Sequence, residues 1–187
     1  KRRQLSIYPE ATINRQASAA YETFRTKTKI INSGKDLAAI KKIGKRIEFS
    51  VSKFFTDKDG SDPTSNFQWD YILVDNDKVL NAWCMPGGKI AVYTGLLKIT
   101  QNNNGLAVVM GHEIAHAVAK HSIERASQAL TVNLGTQVAD IFLGGAINRT
   151  RQTIGNSSGM DIFQLGIFNP FGRKQETEAD YLGLIFS

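Results

Sequence analysis

The stretch that decides the fold is GLAVVMGHEIAHAVAKH, residues 105–121. Its apolar residues predict one long buried helix over these residues. All three histidines of the chain lie in this stretch, and two of them, His112 and His116, are four residues apart. Because that spacing is about one helical turn, both imidazoles face the same side, close enough to bind one metal ion. The sequence therefore predicts a metal site on this helix.

Glu113 follows the first histidine directly and is rotated about 100° from it around the predicted helix. Its side chain is outside the histidine row but within reach of a water molecule on the metal. This is the H-E-x-x-H arrangement, in which the histidines bind zinc and the glutamate is the general base. A five-residue match also arises by chance on a solvated helix face. Here, however, the motif lies among apolar residues, where buried His and Glu are costly unless paired or coordinated.

Zinc is the predicted cofactor, with one Zn²⁺ per chain. It accepts imidazole and carboxylate ligands, keeps a fourth position open and lowers the pKa of its bound water to about 7. We therefore predict a metalloendopeptidase in which Glu113 activates the zinc-bound water and passes the proton to the leaving amine.

A catalytic zinc needs a third protein ligand, and His121 is the adjacent candidate. The metzincin pattern H-E-x-x-H-x-x-G-x-x-H requires a histidine at position 122, where the chain has Ser122. On a continuous helix His121 is rotated about 140° from His116. We predict that His121 is a helix-end histidine or one that contacts a ligand, and that it does not bind the metal.

Glu176 is the better candidate for the third ligand. It shares one face of the last predicted helix, which starts near Arg173, with Asp180, whereas Glu178 points elsewhere. One carboxylate can bind the metal while the other hydrogen-bonds the far nitrogen of a ligand histidine. The spacing also fits an ordinary acidic first turn that complements the helix dipole, so the residues alone leave both interpretations open.

The remaining pattern predicts an α+β fold, a helical body with a small antiparallel sheet beside the metal-binding helix. Three strands are expected to form a meander. In chain order we predict helices at 14–30 and 35–55, strands at 69–74, 79–83 and 89–93, a helical turn at 95–99, further helix over 122–147, and a loop over 148–170.

Composition and charge exclude several classes of protein. The 187 residues, 42% apolar and 21% charged, suit a single globular domain. One cysteine, Cys84, excludes an internal disulfide and a multi-cysteine zinc site. The net charge is +6, but the basic residues are scattered and no stacking aromatics accompany them, so no nucleic-acid partner is predicted. No apolar run reaches the length of about 18 residues that spans a membrane.

Three segments, taken in order, resemble a known family: NAWCMPGG at 81–88, VMGHEIAH at 109–116 and ETEADYLG at 176–183. Together they resemble the zinc metallopeptidase family of the CAAX prenyl proteases and HtpX, and within it the soluble periplasmic branch that includes BepA and LoiP. The resemblance implies a zincin-like domain of the gluzincin type. It makes His112, His116 and Glu176 the zinc ligands, Glu113 the base, and Asp180 the partner of a ligand histidine.

The resemblance also implies how substrate binds. In zincins an edge strand above the metal pairs with extended polypeptide, which recognises backbone more than side chains. Gly87, Gly88 and Lys89, with the strand that runs to Tyr93, are therefore candidate substrate-binding residues. A purely structural turn is the alternative for this segment.

Substrates and location follow from the same resemblance. The expected substrates are unfolded or misassembled envelope proteins, and the expected location is the bacterial periplasm or outer membrane, with an N-terminal lipid anchor absent from this chain. Residues 1–187 are expected to be a single metallopeptidase domain, truncated at the C-terminus because the last helix still buries an apolar face. The alternative function is a latent metal-binding chaperone or scaffold of the same fold, with the loop at 148–170 over the zinc and little peptidase activity.

Overall fold

The computed structural model describes residues 9–124 and 170–187. These residues form five helices and four strands with defined bounds. In chain order these are α1 (Glu10–Lys27), β1 (Ile30–Ile31), α2 (Lys35–Asp59), β2 (Asp70–Val74), β3 (Ala82–Met85), β4 (Lys89–Tyr93), α3 (Thr94–Thr100), α4 (Asn103–Val118) and α5 (Pro170–Phe186).

Helices cover the sheet on both faces. Helix α1 packs on one face through a buried stripe at four-residue spacing, Ile13, Ala17 and Tyr21. Helices α2, α4 and α5 share the larger core on the other face. Strands buried on both faces form continuous apolar runs, as the fully buried Ala82–Met85 shows. None of the helices in the described part of the chain has the length and apolar character needed to cross a bilayer.

The sheet is mixed, so the predicted antiparallel meander is wrong. Its strand order is β1-β2-β4-β3, and β2 pairs in parallel with β4. The short strand β1, which was not predicted, pairs antiparallel with β2. The predicted strand at 79–83 lies later in the sequence, as β3. The predicted α+β combination of helices and a small sheet holds, but the pairing pattern differs.

The connection between β2 and β3 explains this order. Residues 75–81 do not form a tight turn: the Asp75 N–H donates to the Lys29 carbonyl, and the Gly95 N–H donates to the Asn76 carbonyl. The connection passes over the C-terminal end of β4, where the Tyr93 N–H donates to the Asn81 carbonyl. Strand β3 therefore lies on the far side of β4 and forms the edge of the sheet within the described residues.

A glycine turn joins β3 to β4. Gly87 and Gly88 have φ values of +85° and +83°, a left-handed conformation that glycine adopts without a steric penalty. The turn returns the chain antiparallel, with Trp83 opposite Ala91. Strand β4 is thus central, and the prediction that the strand running to Tyr93 is the edge is wrong.

The long helix is shorter than predicted. Helix α4 begins after Asn102, whose side chain accepts hydrogen bonds from the N–H groups of Asn104 and Gly105 at 2.9 and 3.0 Å. It ends at Val118 instead of His121, because Lys120 has a φ of +60°. The backbone is helical again at 121–124.

The other predicted boundaries differ by a few residues. Helix α1 begins and ends earlier than the predicted 14–30 because the chain enters β1 at Ile30. Helix α2 continues to Asp59, where Gly60 in a left-handed conformation caps it through a bond to the Thr56 carbonyl. Helix α5 begins at Pro170, ahead of the predicted Arg173. Most of the predicted helix at 122–147 and loop at 148–170 lies outside the described residues.

Candidate metal centre

Three side chains from two helices meet in one cluster: His112 and His116 from α4, and Glu176 from α5. The Nε2 atoms of the two histidines are 3.1 Å apart. Glu176 Oε2 lies 3.3 Å from His112 Nε2, and Glu176 Oε1 lies 3.4 Å from His116 Nε2. Ligand atoms about 2.0–2.1 Å from a tetrahedral zinc are about 3.3 Å from one another. The donor set and its spacing therefore fit a zinc ion.

The electrostatics of the cluster favour a cation at this position. The hydrogen bond to Glu176 raises the pKa of His112 to about 9, against the effect of burial. Burial alone would raise the pKa of Glu176, but hydrogen bonds from His112 and His116 hold it well below its usual range. The carboxylate thus keeps a positive charge beside it. A divalent cation bound by the same atoms replaces that proton.

Asp180 orients the first histidine. Its Oδ1 atom lies 2.9 Å from His112 Nδ1, the nitrogen that faces away from the cluster. A carboxylate at the far nitrogen of a ligand histidine fixes the tautomer and the ring orientation. Asp180 and Glu176 are one helical turn apart on α5, so one face of that helix supplies both groups.

The second histidine has a different neighbour. His116 Nδ1 lies 2.9 Å from Nδ1 of His121, which is fully buried. His121 Nε2 lies 3.1 Å from Glu178 Oε2. The sequence predicted that His121 ends the helix or contacts a ligand, and the structure places it against a predicted ligand. Glu178, predicted to point elsewhere, was missed because the helix break at Lys120 is what turns His121 toward it.

Glu113 lies close enough to strand β3 for its charge to act on Cys84. Burial raises the pKa of the Cys84 thiol, and the negative charge of Glu113 raises it further, so the carboxylate lies near β3. Glu113 is half-buried, next in sequence to His112. The residue that precedes Glu113 thus belongs to the histidine cluster, and its own charge acts on Cys84 of β3.

Two glycines let α4 and α5 approach closely beside the cluster. A Cβ atom at Gly183 would lie 2.8 Å from the backbone nitrogen of His112 and 2.9 Å from its Cα atom. A Cβ atom at Gly111 would lie 2.7 Å from the Gly183 carbonyl oxygen. Neither helix tolerates a side chain at this crossing without moving, so the crossing fixes how far Glu176 and Asp180 lie from the histidines.

The predicted substrate residues Gly87, Gly88 and Lys89 make contacts within the fold. The Gly87 and Gly88 carbonyls accept hydrogen bonds from the N–H groups of Gln68 and Asp70. The Lys89 ammonium group donates to the Gln68 carbonyl. These contacts extend the pairing of β2 with β4, and a role in substrate binding stays a prediction.

Comparison with known proteins adds a family. The sequence profile described as peptidase family M48 matches residues 45–187, which include the histidine cluster, Glu113 and the edge strand. The chain is 34% identical over 123 residues to the mitochondrial metalloendopeptidase OMA1 of Schizosaccharomyces pombe. It is 30% identical over 101 residues to the metalloprotease YcaL of Escherichia coli, and 29% identical over 117 residues to the beta-barrel assembly-enhancing protease of Yersinia pestis.

These relatives are much longer than this chain. The matched segments cover 65%, 54% and 61% of the chain, in the same order, but only 33%, 37% and 24% of the relatives. The chain thus spans well under half the length of the curated relatives it matches. All three are named as proteases, and the name of the Schizosaccharomyces pombe protein also places that protein in mitochondria.

Proposed function

The chain belongs to peptidase family M48, and on that premise we propose that it is a zinc-dependent endopeptidase of the gluzincin type. The observation that supports this most directly is the convergence of three side chains: the Nε2 atoms of His112 and His116 lie 3.1 Å apart, and each lies 3.3 to 3.4 Å from one of the two carboxylate oxygens of Glu176. These three residues would hold the ion.

Each residue near the cluster has a distinct task in the proposed reaction. When bound, zinc supplies a Lewis acid that polarises the scissile carbonyl and makes water more acidic. Glu113 accepts the proton of the attacking water on its carboxylate and transfers it to the leaving amine. Asp180 holds the His112 ring in place through Nδ1. The close crossing of α4 and α5 keeps these groups at fixed separation.

Extended polypeptide is the substrate class we propose. Strand β3 forms one edge of the sheet, and Glu113 lies near its Cys84. An edge strand offers unpaired backbone groups to which an extended chain adds as a further strand. Pairing along β3 would bring a peptide bond to Glu113, whereas the Gly87-Gly88 turn would border the bound chain.

The proposed substrates are unfolded or misassembled proteins of the bacterial envelope. This rests on the three-motif resemblance and on the name of the Yersinia pestis relative, a beta-barrel assembly-enhancing protease. The proposed location is the periplasm or the outer membrane. The mitochondrial names of the OMA1 relatives make a mitochondrial location the alternative.

The test compares the zinc content and casein cleavage of the wild type with those of Glu113→Gln. The amide keeps the shape of the side chain and the metal ligands but removes the base. We expect about one zinc in both proteins and a loss of at least about 100-fold in the cleavage rate of the variant.

Three other outcomes refute parts of the proposal. If both proteins bind zinc and neither cleaves, the chain is a latent metal-binding chaperone or scaffold rather than a peptidase. If neither binds zinc, the metal centre itself is wrong. Cleavage by the variant at the wild-type rate would remove Glu113 from the mechanism.

A further inference from the structure

A relay of three side chains runs from the histidine cluster into the protein interior. His116 Nδ1 is 2.9 Å from His121 Nδ1, and His121 Nε2 is 3.1 Å from Glu178 Oε2. The His121 side chain has no exposed surface. A buried polar ring of this kind is costly unless its nitrogens are hydrogen-bonded, so the relay accounts for a histidine in this position.

The pairs of atoms in contact determine which nitrogen of each histidine carries a proton. His116 presents Nε2 to the cluster, and a nitrogen that binds a cation carries no proton. With a cation bound at Nε2, the neutral His116 ring would carry its proton on Nδ1 and would donate it to His121 Nδ1. His121 then carries its own proton on Nε2 and donates it to the Glu178 carboxylate. In this arrangement each hydrogen bond has one donor and one acceptor. The opposite tautomer of His121, with its proton on Nδ1, would place two N–H groups against each other at His116 Nδ1.

The backbone is bent to make this contact. On a continuous helix His121 would point about 140° away from His116. Instead α4 ends at Val118, and Lys120 adopts a φ of +60°, a strained conformation for a residue with a side chain. Strain of this kind persists where the surrounding contacts impose it and is common at functional sites. The Lys120 ammonium group is held 2.6 Å from Glu10 Oε2 on α1.

The segment after the bend is also attached to α5 a second time. Gln175, buried next to Glu176 in the sequence, donates a hydrogen bond to Glu124 Oε2 at 3.0 Å. The helical residues 121–124 are therefore fixed to α5 at His121 and at Glu124. This makes the position of His121 a defined feature of the fold.

We propose that His121 and Glu178 are positioning residues for His116, fixing the tautomer and ring orientation with which it binds zinc. This inference rests on the proposed function, because it requires His116 to be a zinc ligand. The two ligand histidines are then supported differently: His112 by the Asp180 carboxylate directly, and His116 by the Glu178 carboxylate through an intervening imidazole.

The experiment measures zinc affinity by competition with a chromophoric chelator, together with thermal unfolding in EDTA. His121→Phe keeps a flat ring without hydrogen-bonding atoms, and His121→Gln supplies an amide oxygen and an amide N–H in their place. We expect His121→Phe to weaken zinc binding about 10- to 100-fold, and His121→Gln to restore most of the loss. Unfolding in EDTA separates this effect from loss of the fold.

Glu178→Ala provides a second test if His121→Phe does not fold, because Glu178 is only partly buried. It is expected to weaken zinc binding about tenfold. Glu22→Ala is the matched control, because it removes an exposed carboxylate from α1, and its zinc affinity should equal that of the wild type. Wild-type affinity in both His121→Phe and Glu178→Ala overturns the inference. If the wild type itself binds no zinc, the proposed function fails instead.

Discussion

Replacing Gly183 by alanine tests whether the close crossing of α4 and α5 sets the geometry of the metal centre. The added Cβ atom would lie 2.8 Å from the His112 nitrogen, where ordinary contact begins at 3.4 Å. The obstacle is helix backbone, which cannot rotate away as a side chain does. The two helices must therefore separate by about 0.6 Å to restore normal contact.

The expected stability change has a definite sign. Alanine in place of glycine inside a helix gains about 1 kcal/mol in intrinsic propensity. Inserting a methyl group into a closely packed contact costs about 1–3 kcal/mol. We therefore expect the free energy of unfolding to fall by up to about 2 kcal/mol. If the crossing were loose, the same substitution would stabilise the protein by about 1 kcal/mol.

The consequence for the proposed zinc site follows from which helix supplies each proposed ligand. His112 and His116 move with α4, and Glu176 moves with α5. A separation of about 0.6 Å exceeds the tolerance of about 0.2 Å for metal–ligand distances, so zinc affinity is expected to fall at least about tenfold.

Chelator competition gives the zinc affinity, and thermal unfolding in EDTA gives the stability. A fall of about 2 kcal/mol lowers the melting temperature by about 4–8 °C in a chain of this size. The matched control is Leu184→Ala on the same helix, whose side chain is 69% exposed and whose zinc affinity should not change. A Gly183→Ala protein that melts at a higher temperature and binds zinc as the wild type does would refute the reasoning.

Two further predictions concern the core and pH. A Cβ atom at Gly44 on α2 would collide with the ring of Tyr71, whose hydroxyl donates to Glu48 Oε1 at 2.8 Å. Gly44→Ala gains about 1 kcal/mol in helix propensity and loses about 1–3 kcal/mol to the collision, so we expect a net loss of stability of up to about 2 kcal/mol with unchanged zinc affinity per folded molecule. A melting temperature at or above that of the wild type would contradict this. In the proposed site, zinc must displace the proton that Glu176 holds on His112, whose pKa is about 9. The zinc affinity should therefore rise about tenfold per pH unit from about pH 6 to 8 and level off above about 9. A zinc affinity that does not depend on pH would contradict the proton displacement.

The cluster was predictable from the sequence because its spacing is local. A four-residue step on a helix determines which way His112 and His116 point, whatever the helix packs against. The same rule placed Glu176 and Asp180 on one face of α5. The face of α4 that these two residues contact depends on tertiary packing, which the spacing does not determine. The family resemblance, rather than the spacing, favoured Glu176 as the ligand.

The strand order was not predictable in this way. The patterns at 69–74 and 89–93 mark apolar strands, but they contain nothing that distinguishes a parallel neighbour from an antiparallel one. The pairing of β2 with β4 depends on the route of residues 75–81 over the end of β4, which is held by backbone bonds such as that of Gly95 to Asn76. Such bonds use no side chain, so they leave little trace in the residue pattern.

His121 shows how one backbone angle changes an inference about a side chain. The prediction that it does not bind zinc assumed a straight helix, on which it faces away from His116. The positive φ of Lys120 breaks that assumption. The His121 ring nevertheless contacts His116 at Nδ1, and not at the Nε2 atom that faces the cluster. Positive φ is uncommon for lysine, so the bend could not be predicted from the residue type at position 120.

The site is best understood as a property of how α5 is rotated against α4. Glu176, Asp180 and Gly183 follow one another at steps of four and three residues, which forms a single stripe along α5. Glu178 lies off that stripe and meets His121 instead. A rotation of α5 that improved any one of these contacts would disturb the other three. A proposed ligand, two contacts to the proposed ligand histidines and the closest backbone contact therefore all constrain the same rotation of α5 against α4.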